Sequence, residues 1–292
     1  MKFSKSISLL VLCVAVLSLT ASIFGVFSNH GEGQYEFESI QGETVKIYGK
    51  GLYHLDSVST ASQGIAQDVV TIVLGIPLLV ISLYLTRKGS LKGRLLLTGT
   101  LGYFLYTYAS YAFLWMYNPF FLAYVILMSA SFFAFILCMM SFDIQKLSLC
   151  FSEKLPVKFL GGFSIFVAVI IGLMWLGRII PALIGNTVPI GLEHYTTLVI
   201  QAMDLGFIVP VAIISGVLLI KKKPFGYLLA SVIYLKEATM LTALTAMIIG
   251  QITAGVKVGV VEIILFPAFN LIVIFCIVLI MKNVKEPVSL RQ

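Results

Sequence analysis

Long apolar runs separated by short polar stretches set the pattern of this chain. Runs near 7–27, 69–85, 95–116, 120–140, 159–180, 198–220, 226–249 and 262–281 each approach the roughly 20 residues that a helix needs to cross the hydrocarbon layer of a bilayer. None shows the ten-residue alternation of a transmembrane barrel strand, and a lipid-exposed backbone must satisfy its own hydrogen bonds, so the runs predict helices. The expected fold is an all-α membrane protein, a bundle of about eight transmembrane helices forming one polytopic domain over 1–292. A small extracytoplasmic β-hairpin-like insertion is expected in the outer connection 28–67. There Tyr35–Ile40 and Thr44–Tyr48 alternate on either side of Gln41-Gly42-Glu43.

Composition agrees with that solvent. Of the 292 residues, 59% are hydrophobic and only 11% charged, whereas soluble domains carry roughly 25% charged residues. The net charge of +7 resides in short clusters between the apolar runs, a topology signal rather than a basic face, so no nucleic-acid partner is expected. Placing the amino terminus in the cytoplasm leaves 15 of the 20 Lys and Arg inside, among them Lys2, Arg87, Lys88, Lys146, Lys221, Lys222, Lys223, Lys282 and Arg291. Lys46, Lys50 and Lys257 remain outside, and Arg178 and Lys236 fall within runs. This bias predicts a multi-pass protein of the cell (inner) membrane with both termini cytoplasmic.

The first run has a basic start, as a signal peptide does. It continues to Phe27, however, and Leu19 stands where cleavage prefers a small residue, so the run is expected to stay as a span. Cys13, Cys138, Cys150 and Cys276 form no C-x-x-C and have no histidine nearby, so neither a disulfide, a metal nor a cofactor is expected. The outer connection sets Glu32, Glu36, Glu38, Glu43 and Asp56 against two lysines; it reads first as an acidic solvated cap that respects the charge bias and, as the alternative, as a surface that draws a cation or a basic partner.

Several stretches, Ile47–Val58, Gln67–Leu79, Gly102–Phe113, Trp175–Leu183 and Thr196–Val211, resemble an uncharacterised family of prokaryotic multi-span membrane proteins. The resemblance implies a prokaryotic membrane protein. It implies no activity and no functional residues.

Ionisable groups inside apolar runs point most directly to function, because burying a charge in lipid costs several kcal/mol unless it is paired or wetted. Arg178, Asp204, Lys236 and Glu237 are such groups. Thr197, Gln201, Asp204 and Ser215 fall on one side of the sixth helix by their spacing. Depth favours an Arg178–Asp204 pair, with Asp204–Lys236 second because Lys236 is expected roughly 11 Å deeper at 1.5 Å per residue. Glu237, turned 100° from Lys236, is expected to meet other neighbours. Asp68 with Gly75 and Pro77, and Asp204 with Gly206 and Pro210, are read first as simple kinks and, as the alternative, as broken helices in two four-span halves. On this reading Asp68 and Pro77 are the first-half counterparts of Asp204 and Pro210.

Motifs for zinc proteases, serine hydrolases and P-loops are absent. The leading expectation is a bundle that binds or moves a small solute or ion, centred on Asp204 and Arg178 with Gln201, Lys236 and Glu237. The alternative is a sensor or assembly partner that meets another membrane protein through the acidic hairpin. A lipid-modifying enzyme comes third; it could work with Asp, Glu and Arg near the outer surface, where Asp56, Asp68, Arg178, Glu193 and Glu262 are expected to congregate.

Overall fold

The computed structural model describes residues 3–286; Lys2 and Arg291, counted above on the inner side, lie outside them. Among the described residues there are eight long helices: α1 (Ser4–Phe27), α2 (Val58–Arg87), α3 (Leu91–Phe113), α4 (Phe121–Met140), α5 (Val157–Gly185), α6 (Val199–Ile220), α7 (Pro224–Thr253) and α8 (Val260–Asn283). All but α3 are both long and apolar enough to cross a membrane, as in a multi-pass membrane protein. The exception has a physical reason. Helix α3 carries Thr98, Thr100, Thr107, Ser110 and four tyrosines, and it packs on α2, α4 and α7, so much of its surface meets helices rather than the surroundings of the bundle.

Helix α2 begins at Val58, well before the apolar run that marks it in the sequence. Its extra turns are polar, and they form because Ser57 Oγ caps them, accepting from Thr60 N–H at 3.1 Å. They also have a neighbour: Gln251 of α7 donates to Ser59 Oγ at 2.9 Å. Hydropathy locates the part of a helix that meets lipid, and an outer extension held by hydrogen bonds escapes it.

Both expected interruptions exist as single π-helical turns, Thr71–Gly75 in α2 and Asp204–Ile208 in α6. Each is followed by a twelve-residue α-helical segment with proline near its start, Ile76–Arg87 with Pro77 and Val209–Ile220 with Pro210. A proline lacks the N–H that an α-helix needs, and the wider turn before it accommodates the lost bond. Both helices then end in the same reversal. Ser90 N–H reaches Leu85 O at 3.1 Å and Lys223 N–H reaches Leu218 O at 2.9 Å, closing Schellman-type caps after Lys88 and Lys221. The following helices pass so close that a Cβ on Gly93 or Gly226 would overlap Leu85 or Leu218 respectively. One register therefore relates the two stretches, with Pro77, Ser82, Lys88 and Gly93 matched by Pro210, Ser215, Lys221 and Gly226. It corrects the expected correspondence: Thr71, not Asp68, stands opposite Asp204.

Helices α3 and α7 pack together at the centre of the bundle. Two apolar cores flank them. One, with Leu97, Leu101, Phe104 and Leu127, joins α1–α4; the other, with Leu160, Leu219, Leu228 and Val273, joins α5–α8. In the first half α1 packs along α4 and seals the group, whereas α5 packs on α6 and meets α8 much less closely.

The connection between α1 and α2 contains a hairpin, β1 (Tyr35–Glu38) and β2 (Thr44–Ile47), paired antiparallel with Tyr35 opposite Ile47. Its loop is longer than the sequence pattern suggests, because Ser39 N–H already turns to Glu43 O at 2.8 Å and Glu43 N–H to Ser39 Oγ at 3.1 Å. The connection folds back on itself at Gly49, whose positive φ of 71° and contact with Gly33 O leave no room for a side chain.

Candidate functional site

The cluster of interest grows from the π turn of α6. An i→i+5 turn adds a residue to the helical path and so re-aims the side chains around it. It sets the Asp204 carboxylate between α3 and α5, where Tyr106 OH donates to Oδ1 at 2.7 Å and Trp175 Nε1–H donates to Oδ2 at 2.9 Å. Lys236 of α7 is buried, and its Nζ lies 4.0 Å above the centroid of the same Tyr106 ring. Nζ donates to Glu237 Oε1 at 2.9 Å. Four helices thus contribute Tyr106, Trp175, Asp204, Lys236 and Glu237 to one continuous polar group within the bundle. The two carboxylates and one ammonium leave it a formal charge of −1.

Three expectations about these residues change. Arg178 makes no ion pair with Asp204. It points outward, with its guanidinium over the Trp175 ring at 5.9 Å and Nη2 against Gly191, towards the side of Glu193. Depth along a helix does not fix direction around it, and Trp175 occupies the place beside Asp204. Lys236 does pair with Glu237, although neighbours in sequence diverge by 100°, because the long lysine stem bends back to it. The single polar stripe on α6 also fails as drawn: Thr197 precedes the helix, and the π turn separates Gln201 and Asp204 from the angular frame of Ser215. Gln201 is buried one turn above Asp204 and bonds to none of the cluster.

Trp175 is the member that sequence reasoning missed. Its signal was only a lone indole N–H within an apolar run, which needs an acceptor there. Tyr106 was one of several tyrosines on α3 with nothing to distinguish it.

The first half builds a different polar centre. Gln67 Nε2 donates to Tyr103 OH at 2.6 Å and to Thr107 Oγ1 at 3.2 Å, and Thr71 Oγ1 lies 2.9 Å from the same Tyr103 oxygen. Asp68 is enclosed, accepting from Tyr53 OH at 2.5 Å and Tyr111 OH at 3.3 Å. Helix α1 passes it at Gly25, where a Cβ would fall 1.8 Å from Asp68 Oδ2. In the shared register Tyr103 and Phe104 stand where the second half has Lys236 and Glu237.

Of the five residues grouped by the sequence reading, Glu193 lies close enough to act on both Asp56 and Arg178, whereas Asp68 and Glu262 are engaged in bonds of their own. Asp68 is walled in by tyrosines; Asp56 accepts from Tyr195 OH at 2.9 Å and Met116 N–H at 3.0 Å; Glu262 caps the start of α8 through Gly259 N–H at 2.6 Å.

No family model, curated protein or solved structure matches this chain.

Proposed function

We propose that the chain is an eight-span membrane protein that binds and moves a small cationic solute or ion, with the Asp204 cluster as its site. The observation that carries this reading is the carboxylate of Asp204 held by Tyr106 and Trp175 beside the Lys236–Glu237 pair. A polar group of net charge −1 at the depth of the hydrocarbon is costly unless a cation or proton completes it. A π turn at its centre supports the same reading, since such turns recur at functional sites. The second and sixth helices run in the same direction in this scheme. The repeated π turn and proline then fit parallel four-span halves, with Thr71 in one and Asp204 in the other. This reading puts both termini in the cytoplasm of a prokaryotic cell, an orientation that the distribution of Lys and Arg supports.

The test is Asp204→Asn in purified, reconstituted protein. In the native chain, proton, sodium or potassium raises the unfolding midpoint with the logarithmic concentration dependence of a ligand bound to the folded state, and crosses the vesicle membrane; the variant remains folded and loses both effects. Normal flux in Asp204→Asn overturns the reading.

The hairpin favours a second reading, docking to another membrane protein. Strand β1 is exposed along its whole length, and Ile40 at its end is 90% exposed beside Glu36 and Glu38. Charge reversal at Glu36 and Glu38 releases a co-purifying partner if this reading holds, and leaves it bound if it does not.

A further inference from the structure

The two halves share a register but not a packing solution, and the difference is localised. Phe104 is fully buried between the rings of Tyr103 and Tyr108, with centroids 5.4 and 6.2 Å away. Its counterpart is Glu237, and here the bundle opens. A cleft runs between α5 and α8, floored by α6 and α7, with Phe163, Ala168, Met174, Phe266 and Phe269 among its walls. The Phe163 and Phe269 rings meet across it at 6.5 Å, and Met174 at its rim is 39% exposed. Its lining residues fall near the middle of each helix, so the cleft faces the hydrocarbon rather than water.

Nearly every polar group in this cleft is already used. Ser164 Oγ donates to Ala212 O at 2.9 Å and Tyr234 OH donates to Leu160 O at 2.6 Å. Glu237 differs. Oε1 accepts from Lys236, while Oε2 has no hydrogen-bond partner among the described residues. An apolar wall ending in one free carboxylate oxygen defines its ligand by chemistry. The body must be apolar, and the head must be small and donate a hydrogen bond. Arg178 does not supply the missing positive charge, because it is turned outward over Trp175 and towards Glu193.

We infer that the cleft between α5 and α8 admits a lipophilic amine from the bilayer, whose protonated head bonds Glu237 Oε2. The inference deepens the proposed function by naming a substrate class, and it rests on that reading for the movement of the ligand but not for its binding. Electrostatic complementarity selects the occupant: the neighbouring cluster of Asp204, Lys236 and Glu237 carries −1, so a cationic head is favoured over a neutral or anionic one on the same chain.

The experiment uses the full chain in lipid nanodiscs with Trp115→Phe, which leaves Trp175 as the only tryptophan. Dodecylamine is titrated against dodecanol and dodecyl sulfate, and Trp175 fluorescence and the unfolding midpoint are followed. The amine gives a saturable change in both; the alcohol and sulfate do not. Glu237→Gln weakens the amine by about tenfold or more, the scale of losing one charge-assisted hydrogen bond. Ala168→Leu, which fills the cleft without touching the charges, blocks the amine while leaving the unliganded midpoint near its native value. Should that variant misfold, Ala212→Val provides the same test. Equal saturation by dodecanol, preference for the sulfate, or no saturable response overturns the inference. Sodium, potassium and proton binding measured on Asp204→Asn and Ala168→Leu separates the two proposals. Loss of the amine response in Ala168→Leu with ion binding unchanged supports the cleft, and it does so even if Asp204→Asn shows the ion site to be wrong.

Discussion

At Asp56 burial and hydrogen bonding pull in opposite directions. Burial pushes its carboxyl up to about 7, against the lowering effect of the bonds from Met116 N–H and Tyr195 OH. Between the ordinary aspartate value of about 4 and about 7, the folded chain holds a proton that the unfolded chain has released. Stability therefore falls as pH rises through this window and levels off above it. Glu193, also raised by burial, acts in the same sense; His194, lowered by burial, acts oppositely as pH drops below its usual value of about 6.5. Asp56→Asn is expected to flatten the dependence of the unfolding midpoint between pH 4 and 7, and an unchanged slope would assign it to another group. Gly25 gives a second prediction at this scale. Adding a methyl group 1.8 Å from Asp68 Oδ2 must push α1 away from α2, so Gly25→Ala is expected to cost about 1–3 kcal/mol, read from chemical unfolding in detergent. Neither site was legible in the sequence. Asp56 looked like one more acid in a solvated loop, and Gly25 like one small residue in a span; both owe their character to partners distant in the chain.

The helices show which features of a sequence report on structure and which do not. All eight apolar runs became helices because length and hydropathy act locally, and the hairpin formed because alternation does too. The π turns left only a proline and a glycine as traces, and the re-aimed side chains beyond them were hidden. That is why the stripe on α6 and the Arg178–Asp204 pair were misjudged while the membership of Asp204, Lys236 and Glu237 in one neighbourhood was within reach. The turn can be tested by removing its extra residue. Deleting Gly206 restores α-helical spacing and rotates one side of α6 by about 100° relative to the other. The Trp175–Asp204 bond is then lost, and Trp175 emission shifts; an unaltered spectrum would mean that the turn does not position Asp204. A cap offers another test. The Glu286 carboxylate accepts from Ser90 OH at 2.6 Å, Leu91 N–H at 2.7 Å and Lys92 N–H at 3.1 Å, at the positive end of α3. Glu286→Ala is expected to lower stability by about 1 kcal/mol, the worth of a lost N-terminal cap.

At the level of the whole molecule, the orientation proposed from the charge bias is open to measurement by labelling. In a chain freed of its own cysteines, a cysteine at Gly42 is expected to react with an impermeant maleimide on intact cells, and one at Lys222 only after permeabilisation; the reverse pattern would invert the topology. The repeated register was only faintly visible in the sequence, because the chemical identities that a reader compares, Asp68 with Asp204, are not the ones that the two π turns superpose. Helix α3 has a consequence for how the chain enters the membrane in the first place. A segment rich in threonine and tyrosine, and opened by Lys92 and Arg94, has little tendency to leave the translocon alone. The tight reversal at Lys88–Ser90 joins it to the far more apolar α2, so the two can partition as one helical hairpin, with the polar face of α3 shielded by its neighbour during synthesis. Lengthening that reversal by a flexible insert should leave α2 inserted and release α3, a failure of biogenesis rather than of the finished fold.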